Sequence, residues 1–185
     1  MVRLDRIYTG GGDAGETSLG DGTRIAKTAP LIGALGSVDE ANAAIGLVRL
    51  HIQAAVDEVL AHVQNDLFDV GADLCVPATS GRERLRVTQT QVTWLERQID
   101  RFNKALTPLA SFVLPGGSIA AAHLHMARAI VRRAERDTVA AREAGVSGEV
   151  LRYLNRLSDL LFVLARHANE DGRGDVLWQP GAHRE

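Results

Sequence analysis

Arg128, Arg132 and Glu135 are spaced i, i+4 and i+7, and Arg136 completes the cluster. In a helix that spacing places one carboxylate among several guanidiniums on a single face. The segment from Ser118 to Ala144 contains no Gly or Pro and is rich in Ala, Leu and Arg, which predicts a helix. Leu124, Ala127, Val131 and Ala134 run beside the charges as a narrow apolar stripe. Arginine forks match phosphate oxygens and a carboxylate matches a hard cation, so the face suits a polyanion held together with a divalent metal. The same residues could form a solvated face with intrahelical ion pairs, which is the commoner use of a charge run.

A second feature lies at the other end of the chain. Tyr8 to Gly22 is dense in glycine, including Gly10, Gly11, Gly12 and Gly15 around Asp13, which argues for a loop and against a helix or a well-paired strand. Glycines let backbone N–H groups approach an anion, Thr9, Thr17 and Ser18 add hydroxyls, and Lys27 can reach a phosphate. No Gly-Lys-Ser or Gly-Lys-Thr follows and no apolar strand precedes, so neither the Walker loop nor the dinucleotide fingerprint is present. A flexible terminal arm is the competing reading.

Helices must position these groups. Leu31, Ala34, Val38, Ala41, Ile45 and Val48 alternate steps of three and four between Ala29 and Leu50, with Asp39 and Asn42 on a neighbouring line. Asp39 is either a surface acid or the partner of an arginine. Val56, Val59, Val63, Leu67, Val70 and Leu74 form a second seam beside Asp66, Asp69 and Asp73, which read as a polar helix face because no histidine stands at ligand spacing. Residues 76–87 read as an exposed connection. Thr88 and Gln91 make a capping box for a third helix that Pro108 ends. Ser111 to Gly117 is a loop into the arginine helix, and its Phe112 is either a lid or, more commonly, a buried anchor. Val150, Leu154, Leu157, Leu161, Leu164 and Ala168 form the last seam, in steps of four and three. Next to it, Asn155 either fixes helix register or hydrogen-bonds a nucleotide. Residues beyond Asn169 read as a mobile tail on which Trp178 docks.

These elements predict an all-α five-helix bundle behind a glycine-rich N-terminal loop, as one domain over 1–185 with segments 1–28, 29–170 and 171–185. The 185 residues are 45% hydrophobic, enough for one buried core. Lys and Arg total 21 against 23 Asp and Glu, which gives no basic field for nucleic acid. The single Cys75 excludes an internal disulfide and reads as core in a reducing compartment. Met1 to Arg6 is too charged to begin a secretory signal and no long apolar run is evident, so a soluble cytoplasmic protein without membrane contact is expected.

Three stretches together are specific: Tyr8-Thr9-Gly10-Gly11-Gly12-Asp13-Ala14-Gly15-Glu16-Thr17-Ser18-Leu19 with Lys27; Ser111 to Gly117 followed by Arg128 to Arg136; and Tyr153 to Asp159. In order and spacing they resemble the PduO-type ATP:cob(I)alamin adenosyltransferases along nearly the whole chain. The resemblance implies a homotrimer with sites between subunits, in which Co(I) of cob(I)alamin attacks the 5′ carbon of ATP. Adenosylcobalamin and triphosphate are the implied products. By the same resemblance Thr9 to Gly12, with Asp13, Gly15, Thr17, Ser18 and Lys27, wrap the triphosphate, and Arg132, Arg133 and Arg136 add positive charge. Glu135 helps hold Mg²⁺ and Asn155 binds the nucleotide. Asp39 pairs with Arg128 across the interface, and Phe112 presses on the lower face of the corrin. A reductase supplying Co(I) and an adenosylcobalamin-dependent mutase are the implied partners. The chain departs from many members in having Gly10 and Gly11 where Lys and Thr are common, and Val131 where Cys is common. Two other functions share parts of the pattern: an ATP-dependent phosphotransferase, and a non-catalytic carrier or regulator that binds ATP or adenosylcobalamin.

Overall fold

Each helix starts where its sequence supplies a boundary. In the computed structural model, which describes residues 7–76, 84–182 and 184, Pro30 takes the first turn of α1 (Pro30–Arg49), where its missing N–H costs nothing. Helix α2 spans Ala54–Cys75. The Gln91 side chain accepts from the Thr88 amide at 2.9 Å at the start of α3 (Gln89–Asn103). Ser118 Oγ accepts from Ala121 N at 3.1 Å to cap α4 (Ile119–Ala140), and Ser147 does the same for Val150 N in α5 (Gly148–Ala168). A 3₁₀ turn, Arg142–Ala144, links the last two helices and closes on Gly145 at φ +86°.

The apolar seams meet as the spacing predicts. α4 packs on α1 and α5, α3 packs on α5, and α2 packs on α1. Ala34, Ile45, Leu60, Leu95, Leu124, Leu154, Leu157 and Leu161 are fully excluded from water. On length and composition α1 could cross a membrane, contrary to the expectation of no such run. It is instead a bundle helix, whose seam residues Leu31 to Val48 are buried against α2 and α4 and whose middle carries Asp39 and Glu40.

Several expectations need correction. The glycine-rich segment is not all loop. Strands β1 (Glu16–Ser18) and β2 (Arg24–Ala26) pair antiparallel, with Thr17 opposite Ile25. α3 stops at Asn103, before Pro108 is reached. Asp66 and Asp73 are not on a solvated face. Asp73 is buried, where it pairs with Arg86 and accepts from Val87 N at 2.9 Å and Ser147 Oγ at 3.2 Å, while Gln91 Nε2 donates to both Asp66 and Asp69. Of the supposed exposed connection, residues 77–83 lie outside the described residues, Arg86 is held by Asp73, and Val87 is in the core. Met1 to Arg6 also lie outside them. Cys75 is free and only partly buried, at the end of α2.

The tail is not loose. Arg166 and Asp175 form an ion pair at 2.7 Å with side chains 6% and 2% exposed. Asn169, itself buried, receives Ser118 N on Oδ1 and donates to Gly116 O and Asp175 Oδ1. Gly117, at φ +100°, leaves room for that amide, because a Cβ there would overlap the Asn169 side chain. From this knot the chain runs back along the 111–114 loop. Leu114 N bonds Val176 O, Trp178 N bonds Phe112 O, and Ser111 Oγ bonds Trp178 O, each at 2.8 Å.

Candidate active site

The glycine segment folds as two tight turns, Asp13 N donating to Gly10 O and Gly15 N to Gly12 O, both at 3.2 Å. Gly10 and Gly15 have φ +71° and +87°, which L side chains rarely adopt. Lys27 N bonds Gly15 O at 2.8 Å, and Lys27 Nζ stands 3.0 Å from where a Cβ of Gly12 would project. The cation is therefore folded over the glycine turn with Thr9 and Asp13 close by, and Thr17 and Ser18 follow on β1. Arg24, which the sequence reading passed over, clamps this arrangement from β2. It donates to Gly11 O at 2.9 Å and to Ser18 Oγ at 3.2 Å. The hairpin is fastened to the bundle through buried Leu19 and through Gly20 N, which donates to Cys75 O at 2.9 Å.

The arginine face divides into groups with different partners. Glu135 is half-buried and accepts from Asn155 Nδ2 at 3.0 Å, so α4 and α5 bring together two of the predicted residues. Arg132 and Arg136 are exposed, and Arg136 Nη1 bonds the Arg132 carbonyl at 3.1 Å. Arg133 turns the other way and pairs with Glu40 of α1. Asp159, absent from the predicted set, belongs to the same neighbourhood. Burial raises its carboxyl above the usual range, opposed by Arg156, reinforced by Glu135 and opposed again by Arg132.

Arg128 and Asp39 do not meet within the chain. Asp39 is exposed on α1 and has no ion pair among the described residues. Arg128 is half-buried, with a buried Nε that has no hydrogen-bond partner among the described residues. Burial, followed by the charge of Arg132, depresses its pKa. Phe112 corrects the anchor expectation. It is 77% exposed, its ring 6.0 Å from that of Trp178, on a loop stitched to the tail. The ring is thus held by its backbone and offered to solvent.

His125, 2% exposed and one turn before Arg128, has neither ring nitrogen hydrogen-bonded. Burial, then Arg128, lowers its pKa below 6.5, with Asp175 opposing. The folded value lies below the unfolded one, so the unfolded chain binds more protons and stability falls as pH drops through about 6.5. His125→Gln should flatten the fall in Tm between about pH 7.5 and 5.5. An unchanged slope would assign that fall to other groups.

Relatives put this geometry in context. The family model for cobalamin adenosyltransferase matches residues 7–168. A corrinoid adenosyltransferase of Mycobacterium tuberculosis is 51% identical over 190 aligned residues, covering 99% of this chain and 97% of its own. One from Bacillus subtilis is 40% identical over 96% of this chain and 94% of its own. Among solved structures, a variant PduO-type ATP:corrinoid adenosyltransferase from Lactobacillus reuteri, complexed with cobalamin and ATP, superposes with a TM-score of 0.89 at 37% identity, covering 94% of this chain and 99% of that one. With the turns, the arginine helix and the Phe112 loop all inside or beside the matched span, this chain belongs to the cobalamin adenosyltransferase family.

Proposed function

We propose that this enzyme transfers the 5′-deoxyadenosyl group of ATP to the cobalt of cob(I)alamin, yielding adenosylcobalamin and triphosphate. The observation that best supports it is Glu135, held by Asn155 on the helix face that carries Arg132 and Arg136, which have no ion pair among the described residues, in a chain of this family. The Co(I) electron pair forms the bond to C5′, and the C5′–O bond breaks with its electrons leaving on triphosphate. No general base is needed. The protein's tasks are to orient two substrates and to stabilise charge on the leaving group.

The glycine turns from Thr9 to Gly15, with Thr17, Ser18 and Lys27, wrap the phosphates. Arg132 and Arg136 meet the charge that builds during departure, and Arg133 joins them by exchanging Glu40 for phosphate. Asn155 holds the nucleotide. Glu135 fits Mg²⁺, because one half-buried carboxylate together with substrate phosphates is how that ion is usually held. A Mg²⁺ held there would neutralise charge on the departing triphosphate. Phe112 lies against the lower face of the corrin and disfavours the lower axial ligand.

A homotrimer completes the site. Asp39 of the partner subunit would satisfy Arg128, a pairing supported by the exposure of Asp39 and the unmet Nε of Arg128. The whole chain serves as one catalytic domain, with 1–28 as its ATP segment. The reducing cytoplasm suits both Co(I) and the free thiol of Cys75. A reductase upstream and a cobalamin-dependent mutase downstream complete the partners.

An anaerobic assay with chemically reduced cob(I)alamin, ATP and Mg²⁺ tests the reaction. The visible spectrum should convert to that of adenosylcobalamin with stoichiometric triphosphate. Release of ADP would indicate a phosphotransferase, and binding without turnover a carrier. Removing Mg²⁺ with chelator should suppress the rate.

A further inference from the structure

Asn155 stands between two groups that leave its amide no choice of orientation. Glu135 offers only acceptors and takes Nδ2 at 3.0 Å, whereas Arg156 offers only donors and meets Oδ1 through Nη1 at 2.7 Å. Arg156 is in turn braced by α3, its Nε donating to Glu96 Oε1 at 3.0 Å, with Asp159 at 3.9 Å on its other side. A relay thus runs Glu96–Arg156–Asn155–Glu135 across three helices. We infer that Arg156, buttressed by Glu96, is a positioning residue for the adenosyl transfer: it locks the Asn155 amide so that Nδ2 faces Glu135, and thereby fixes the carboxylate that receives the nucleotide's metal.

Arg156 is placed to brace Asn155: its Nε is held by Glu96 of α3 while its Nη1 serves the amide oxygen, with Asp159 nearby, so turning it to phosphate would break both contacts. It differs in this from Arg132, whose guanidinium has no ion pair among the described residues. Without Arg156, Asn155 Oδ1 loses its donor and the amide is held at one end only, so Nδ2 no longer points in a fixed direction and restrains Glu135 less firmly. Partners of this kind, one step removed from a metal or its ligand, commonly change affinity by ten-fold or more. Both ends of the brace are partly exposed, Arg156 37% and Glu96 43%, so the variants should fold.

The inference rests on the reading of Asn155 and Glu135 as nucleotide and metal ligands, and the test separates the two. With the full-length enzyme, ATP is varied at saturating cob(I)alamin, and Mg²⁺ is varied separately. Arg156→Met should raise KM for ATP and the Mg²⁺ requirement roughly ten-fold, leaving KM for cob(I)alamin and Tm unmoved. Arg156→Lys, which keeps a donor toward Oδ1, should recover part of the loss. Introduced into Asn155→Ala, Arg156→Met should add almost nothing, because the two act as one unit.

A KM for ATP within about two-fold of the parent in Arg156→Met, with Asn155→Ala strongly impaired, would overturn the relay. So would full additivity in the double variant, which would put Arg156 in direct contact with substrate. If Asn155→Ala and Glu135→Gln both leave ATP and Mg²⁺ dependence untouched, the nucleotide reading itself fails and the relay falls with it.

Discussion

Arg132→Ala should lower kcat by about 10²–10³-fold while the helical fold persists, the loss expected on removing one preorganised donor to a developing anion, the role proposed for Arg132. Arg132 is exposed on α4, and its guanidinium has no ion pair among the described residues, unlike Arg133, which is engaged by Glu40. Its charge reaches the Asp159 carboxyl, which Glu135 also influences, so the three belong to one neighbourhood. Its side chain is exposed and outside the core, so shortening it should leave the bundle packed. Arg132→Lys should fall in between, since an ammonium supplies charge without the two-pronged contact. Steady-state rates under anaerobic conditions decide the matter. Full activity in Arg132→Ala would remove this helix face from the mechanism.

Asp175→Ala is the largest expected loss of stability, about 3–5 kcal/mol, because it leaves the Arg166 charge buried and unpaired. Among the described residues Arg166 would keep the Thr107 carbonyl, bound at 2.9 Å, and Asn169 would lose one of its acceptors. Since Asn169 also holds Gly116 and Ser118, the start of α4 and the Phe112 loop should loosen along with the tail. Denaturant unfolding gives the stability, and hydrogen exchange at the Leu114 and Trp178 amides reports the tail. A loss below about 1 kcal/mol, the range of a surface pair, would show that water reaches Arg166.

Much of the bundle was legible because its information is local. The alternating seams name the residues that become the core, and Thr88 with Gln91 marks a helix start that the structure reproduces. The hairpin was missed although Asp21-Gly22 is a turn signal and Thr23 N bonds Asp21 Oδ1 at 2.9 Å. Two three-residue strands among glycines carry too little alternation to stand out, and with them went Arg24. Asp66 and Asp73 misled because a carboxylate beside a seam looks solvated until its partners, Gln91 and Arg86, arrive from elsewhere in the chain. The arginine face had the same limitation. Helical spacing groups Arg128 to Arg136, but the separation of Arg133 toward Glu40 and of Glu135 toward Asn155 depends on which helix lies on each side. The Arg166–Asp175 pair left no apolar pattern to read, so the tail looked loose.

The stitching of residues 176–178 to the 111–114 loop has a consequence for the order of events on the ribosome. The loop bearing Phe112 leaves the exit tunnel before α4 and α5, whereas the segment that binds its backbone follows both helices. A nascent chain could assemble most of its bundle with Phe112 still untethered. The Phe112 loop would take its final form only when the last stretch is translated, after α4 and α5 are in place. Pulse-labelled amides of Leu114 and Trp178 should therefore gain protection together, and after those of α4.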